Sequence, residues 1–193
     1  INENQRQFEK KNKEIDEIIK GAEIDPERVN NKTRNKIRLY LEQDCKTAYT
    51  QQAIDLHTLI FDDKAYEIDH IIPLLVSLDD SLSNKVLTSR LENQEKGNLT
   101  PIAAYLKNKF TDGNLTNYQT FVRNNKNMNR KKKMNLLFEE DITKYDVAKK
   151  FINRNLVDTS YACRTVMNTL QHYFKDNDID TKVHTIKGQA TNA

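Results

Sequence analysis

Apolar residues recur along the chain at two spacings, and the change between them marks its organisation. Over residues 1–20, Phe8, Ile15, Ile18 and Ile19 fall at helical spacing in an otherwise charged sequence ending near Gly21. That narrow stripe predicts an amphipathic helix in need of a partner. Asp25-Pro26-Glu27 has the form of a helix start, a cap followed by proline at the first position, with Val29, Ile37, Tyr40 and Leu41 lining one face to about Gln43. The period then shortens. Tyr66, Ile68 and Ile71 flank Asp69-His70 in a β-branched, apolar run that predicts a short strand, with Pro73 ending it. A polar turn, Leu78-Asp79-Asp80-Ser81, leads to a second strand, Asn84-Lys85-Val86-Leu87-Thr88, and Ser89 caps a helical turn through Arg90-Leu91-Glu92-Asn93. Helical spacing returns after Thr100-Pro101 with Ile102, Tyr105 and Leu106, and Asp112-Gly113 turns the chain into Tyr118, Phe121 and Val122. The polar, basic stretch Asn124 to Lys133 reads as a loop or the start of a helix that continues through Met134, Leu136, Leu137 and Phe138. From Tyr145 the pattern predicts two helices divided near Asp158, the second with Cys163, Val166, Met167, Leu170 and Phe174 on its apolar face. Thr181 to Lys187 reads as a lone strand without a local partner. The expected class is α+β, mostly helical, with one short two-stranded antiparallel sheet.

At 193 residues the chain is long enough for one core with appended helices, and no repeat is visible. Only 4 Gly and 3 Pro, 31% charged residues and a mean hydropathy of −0.82 agree with a helical, strongly polar chain. A hydrophobic content of 37% is low for a compact globule, so some helices are expected to be covered by something else. The net charge of +3 argues for no partner by itself, but its distribution does more. Residues 1–61 hold 11 basic and 11 acidic side chains, residues 62–122 hold 6 and 9, and residues 123–193 hold 14 and 8. The basic last third could carry phosphate contacts. Cys45 and Cys163 lack a Cys-x-x-Cys partner, which argues against a zinc or disulfide framework and suits a reducing cytoplasm. No apolar run approaches the roughly 20 residues of a membrane span, so no membrane partner is expected. The first residue is Ile rather than Met, which suggests a chain cut from something longer.

Candidate chemistry gathers between Tyr66 and Asn98. Side chains adjacent in a strand face opposite ways, so Asp69 and His70 can serve one phosphate only if the strand bends after His70. An isolated Asp-His pair is common; here it is followed by Asn84, Asn93 and Lys96-Gly97-Asn98. That constellation resembles the ββα-metal site of HNH endonucleases, most closely the HNH domain of the type II CRISPR effectors, the RNA-guided DNA endonucleases of the Cas-nine family. The resemblance implies His70 as the general base that activates water, Asp69 and Asn93 as protein ligands of one Mg²⁺, with Mn²⁺ as substitute, and Asn84 as a brace for the His-bearing loop. Asn93 stands where zinc-dependent members have the final His, which favours a hard, oxygen-liganded ion. The chemistry agrees: phosphodiester hydrolysis needs a base that works near neutral pH and positive charge on the phosphate.

The resemblance extends to Lys36–Thr50 and Ala53–Leu56, like the entry to a CRISPR HNH core, and to Phe151-Ile-Asn-Arg-Asn-Leu-Val-Asp-Thr159, like the linker back to a RuvC-like domain. It implies a linker helix at 1–35, the HNH domain at 36–141, and linker helices with the start of a RuvC-like segment at 142–193. The partners it implies are target-strand DNA paired to guide RNA and the rest of the effector chain, with guide pairing supplying sequence choice. Lys96, Arg130, Lys131, Lys132 and Lys133 are candidate phosphate contacts, against the plainer reading of a helix-end charge and a solvated face. His57, His172 and His184 read as packed or solvated side chains, and Tyr118 and Phe121 as core. Two other classes stay open. One is a free-standing HNH nuclease of phage or restriction type; the other is a binding module, either a degenerate nuclease or a fragment held by a phage-encoded inhibitor protein.

Overall fold

The computed structural model describes residues 3–184. Helix α1 (Glu3–Gly21) sets Ile15 and Ile19 against α2 (Asn31–Glu42), which is the partner its narrow stripe calls for. The single helix expected from Asp25 to Gln43 is instead two elements. Asp25 caps only a 3-10 turn, Pro26–Arg28, after which Val29 is extended, and Asn30 restarts the chain by accepting from the Thr33 amide at 2.9 Å. A β-branched residue followed by a strong cap outweighs the proline signal.

Helix α3 (Leu56–Phe61) leads into β1 (Tyr66–His70), which pairs antiparallel with β2 (Lys85–Ser89) in the register Ile68 with Leu87, Asp69 with Val86 and His70 with Lys85. The second strand thus starts one residue later than the sequence suggested. Asn84 closes a 3-10 turn, Leu82–Asn84, although its carbonyl still accepts from the Ile71 amide at 2.8 Å. Between the strands a short helix that the sequence did not announce, α4 (Leu74–Ser77), precedes the polar turn.

The sheet separates two apolar clusters, and period-2 alternation decides which residue faces which. Leu87 joins Ile15, Ile19, Ile37, Leu39, Ile54 and Leu59, whereas Val86 joins a larger cluster with Tyr49, Ile71, Ile72, Tyr105 and Tyr118. Helix α5 (Arg90–Lys96) follows β2 directly, started by a capping box between Ser89 and Glu92. Then come α6 (Pro101–Leu106), capped by Thr100, and α7 (Leu115–Asn124), capped by Asn114. Helix α8 (Arg130–Leu136) follows, capped by Asn129. It stops before Phe138, whose ring instead meets Phe151 edge-on at 5.0 Å.

The two helices expected after Tyr145 are one, α9 (Tyr145–Asp176). No Gly or Pro interrupts it, and a single Asp costs a helix interior only about 0.7 kcal/mol or less. Val147 and Phe151 close the larger core, and α9 packs against α4. Farther along, Cys163, Val166 and Leu170 are exposed and Met167 is half-buried, so most of the apolar face read from the sequence lies open. Residues 181–184 form no strand, and the remainder of the expected strand lies outside the described residues. No helix among the described residues is long and apolar enough to cross a membrane.

Candidate active site

The register of β1 dictates where its polar side chains go. Glu67 and Asp69 share the face of Val86, while His70 lies opposite, beside its cross-strand partner Lys85. Helix α5 runs along the first of these faces. Residues two apart in a strand and three apart in a helix are separated by comparable distances, about 6.7 Å and 4.5 Å along the axis, so two rungs can form. Asn93 Nδ2 donates to Glu67 Oε2 at 2.6 Å, and one helical turn later Lys96 Nζ lies 2.8 Å from Asp69 Oδ2.

Asp69 is held by two donors at the same oxygen. The Tyr49 hydroxyl donates to Oδ2 at 2.6 Å, beside the Lys96 ammonium. Burial, and then the neighbouring Asp69 carboxylate, push the Tyr49 phenol well above its ordinary pKa, so it stays a neutral donor. Tyr49 is fixed in turn by the 47–50 loop. Buried Glu92 accepts from Thr47 Oγ1 at 2.8 Å, from the Thr50 amide at 2.7 Å and from Thr50 Oγ1 at 2.6 Å, tying that loop to the first turn of α5. The Tyr105 hydroxyl and the Gln51 side-chain amide both donate to the Tyr49 carbonyl. Gln51 itself sits at φ 58°, in the left-handed region, to close this turn without a glycine.

On the opposite face, His70 Nε2 lies 2.8 Å from Asp80 Oδ1, and Lys85 Nζ lies 2.8 Å from the same oxygen. Hydrogen bonds from Lys85 and then His70 hold the Asp80 carboxyl below the usual carboxylate range. An ionised carboxylate only accepts, so Nε2 of a neutral His70 carries the hydrogen and Nδ1 keeps its lone pair. Asp80 therefore fixes the tautomer that leaves Nδ1 with its lone pair free.

The chain bends at Ile71-Ile72, and as a result Asp69 and His70, though on opposite faces, both line one cavity of about 340 Å³ with Pro73, Leu74, Leu75, Lys96 and Gly97. The bend is fastened by Asn84, fully buried. Its Nδ2 donates to the carbonyls of Ile72 and Asp79, each at 2.9 Å, and to Ser77 Oγ at 3.1 Å, while its Oδ1 accepts from the Ile72 amide at 3.0 Å.

Two of the candidate phosphate contacts are corrected. Lys96 is 1% exposed, with Nζ on Asp69 and on the His70 carbonyl at 3.0 Å, and Lys132 is buried with Nζ 2.6 Å from Glu42 Oε2. Each cation is surrounded because its helix turns it into the fold rather than to solvent. Lys131 pairs with Asp79 at 2.8 Å, Lys133 donates to the Arg123 carbonyl at 3.0 Å, and Arg130 is exposed. The other histidines are remote: His57 packs on Phe61 with ring centroids 4.4 Å apart, and His172 and His184 are exposed.

Sequence reasoning missed Tyr49, Glu67, Asp80 and Lys85. The period-2 pattern could have found Glu67, two residues before Asp69, while Tyr49 gives no local sign of reaching the site. Among the described residues no group of three or more His, Cys, Asp or Glu gathers around one point. The donors on the α5 face are oxygens, from Glu67, Asp69 and the Asn93 amide, whose Nδ2 contact leaves Oδ1 as its acceptor. This set suits a hard divalent ion that keeps most of its waters, and it lacks the soft donors of a structural zinc site.

Comparison with known proteins decides the family. Residues 47–102 match the HNH endonuclease model, and residues 146–193 match RuvC endonuclease subdomain 3. The chain is 49% identical over 156 residues to CRISPR-associated endonuclease Cas9 1 of Streptococcus thermophilus, covering 81% of this chain. The chain belongs to the Cas9 family. A second relative, Cas9 of Staphylococcus aureus, is 44% identical over 163 residues, again 81% of the chain. The chain spans only 14% and 15% of the lengths of these two Cas9 relatives. A crystal structure of Streptococcus thermophilus Cas9 in complex with AGGA PAM superposes on all of the chain and 20% of its own length, at 37% identity and a TM-score of 0.67. Another, in complex with the GGAA PAM, covers 98% of the chain and 18% of its own length at 39% identity and a TM-score of 0.70. The two-stranded sheet with its following helix is thus the HNH nuclease core of a Cas9-family chain, a hydrolase domain of a metal-dependent family.

Proposed function

We propose that this chain is the domain that hydrolyses the guide-RNA-paired, target strand of DNA in a CRISPR effector. The single observation that carries the reading is the shared cavity: an imidazole with its Nε2 tied to Asp80 and a carboxylate, Asp69, reach one space from opposite faces of the same strand.

In this reading His70 Nδ1 takes a proton from the water that attacks the scissile phosphate, and the Asp80–Lys85 pair holds the ring. Asp69 and Asn93 would hold one Mg²⁺, or Mn²⁺ in its place, with Glu67 orienting the Asn93 amide. When bound, the ion would supply positive charge to the phosphate and the leaving oxygen. Asn84 keeps the 71–84 loop, and with it His70, in register with Asp69. Products would carry 5′-phosphate and 3′-hydroxyl ends. The remaining partners in this reading are the rest of the effector chain, including its RuvC-like domain, in a bacterial cytoplasm. An inhibitor protein seated over the Asp69–His70 cavity would block the same chemistry.

The test is cleavage of duplex DNA by the chain at high concentration with Mg²⁺ or Mn²⁺, beside His70→Ala and Asn93→Ala. Weak, metal-dependent, sequence-blind cutting lost in both variants is expected. Metal-independent cutting, or cutting retained by either variant, refutes the assignment.

A further inference from the structure

The Lys96 ammonium is an unusual neighbour for a carboxylate that is to hold a divalent cation. It is 1% exposed, it lies 2.8 Å from Asp69 Oδ2, and its other contacts are the carbonyls of His70 at 3.0 Å and Gly97 at 3.3 Å. Gly97, at φ 53°, ends α5 with the positive φ that glycine adopts readily, and its own carbonyl turns back toward that ammonium. The fold therefore builds a cage of acceptors around one cation, and among the described residues the only full negative charge in it is Asp69. Tyr49 donates to the same carboxylate oxygen without bringing charge.

We propose that Lys96 is a positioning residue that acts through Asp69: a built-in counter-cation that holds the carboxylate in place and keeps divalent-ion affinity low until substrate phosphate arrives. The inference rests on the reading of Asp69 as a metal ligand. A divalent ion approaching Asp69 meets a fixed positive charge within a few ångströms in a partly buried setting where screening is weak. The negative phosphate of a bound strand offsets that repulsion, so ion and substrate assemble together. The ammonium also keeps Asp69 in its rotamer while no ion is present, which spares the site a reorganisation when the strand docks. The arrangement of α5 makes this inseparable from the metal site, because Asn93 and Lys96 sit one turn apart on the same helix face and reach Glu67 and Asp69 on the same strand face.

The experiment is titration of the DNA-free chain with Mn²⁺, following the free ion by electron paramagnetic resonance. Lys96→Gln keeps a hydrogen-bond donor but removes the charge, and Tyr49→Phe removes a donor but keeps the charge. Weak binding by the wild-type chain, binding about tenfold tighter or more in Lys96→Gln, and a change within about twofold in Tyr49→Phe are expected. Mn²⁺ should also raise the melting temperature of Lys96→Gln and leave that of the wild type nearly unmoved. Should Lys96→Gln be unfolded in metal-free buffer, refolding on addition of Mn²⁺ supports the proposal, and failure to refold overturns it. Equal or weaker affinity in Lys96→Gln, or equal tightening in Tyr49→Phe, overturns the role of the charge. Tightening that survives the added change Asp69→Asn would put the ion elsewhere and overturn both this inference and the Asp69 reading. Binding that is lost in Asp69→Asn but not tightened by Lys96→Gln overturns the inference alone.

Discussion

Replacing Asn84 by Ala separates bracing from chemistry. The side chain is fully buried and satisfies the Ile72 amide, the Ile72 carbonyl and the Asp79 carbonyl, besides touching Ser77 Oγ and accepting from Asn135 Nδ2 at 3.3 Å. The Ile72 carbonyl keeps one donor, Ser77 Oγ at 3.3 Å, so the groups that lose their partner are the Ile72 amide, the Asp79 carbonyl and the Asn135 side-chain amide. Each buried polar group left without a partner costs about 1–3 kcal/mol, which gives about 3–9 kcal/mol for the three before any relaxation. Water entering beside the partly exposed Asp79 would lower the figure, so a loss of about 3 kcal/mol is expected. Urea unfolding of wild-type and Asn84→Ala chains measures the total, with an unchanged slope required for the comparison. Hydrogen exchange locates it, with faster exchange expected at the Ile72 amide. Because His70 precedes the braced segment, cleavage should fall together with protection of the loop. A stability change below about 1 kcal/mol accompanied by lost cleavage would refute the bracing role and make Asn84 a chemical group.

The same logic gives three further expectations. Asp80→Ala should leave the fold intact but lower target-strand cleavage by about 10²-fold, the lower end of what a correctly held general base supplies, and single-turnover rates in the full effector check it. Lys132→Met leaves the Glu42 carboxylate, 11% exposed, without its partner and should cost about 3–5 kcal/mol in urea unfolding, whereas Glu42→Leu with Lys132→Met should recover most of it. Burial pushes the Asp79 carboxyl up, but hydrogen bonds from Lys131 and Ser81 outweigh it and leave the pKa below its ordinary value. The stability Asp79 contributes is thus full above the unfolded-state pKa of about 4 and is lost as pH falls through the lower folded value. Thermal melts between about pH 5 and pH 2 should show a shallower slope in Lys131→Ala.

The parts legible in the sequence were those whose cause is local. The strand around Asp69-His70, the Ser89 cap and the Thr100-Pro101 helix start each depend on a few neighbouring residues, and each forms near where the pattern placed it. The failures came where one local signal outweighed another. Proline at 26 gave way to the Asn30 cap, and the expected break near Asp158 did not form in a stretch without Gly or Pro. In the site, Asp69, His70, Asn84 and Asn93 stood out through the resemblance to the HNH pattern. Tyr49 and Lys96 did not show their part, because their role depends on bringing a loop 20 residues before Asp69 and a helix 27 residues after it to one carboxylate oxygen. A lysine three residues after Asn93 looks like a helix-end charge until the register of β1 places Asp69 beneath it.

The measurement that tests the central claim most directly is the single-turnover rate of guide-paired strand cleavage by the full-length effector carrying His70→Ala, with circular dichroism and melting to show that the fold is kept. The account predicts a folded protein that still binds target DNA and cuts the paired strand at least about 10²-fold more slowly. A folded His70→Ala effector that cuts that strand at the wild-type rate would contradict it.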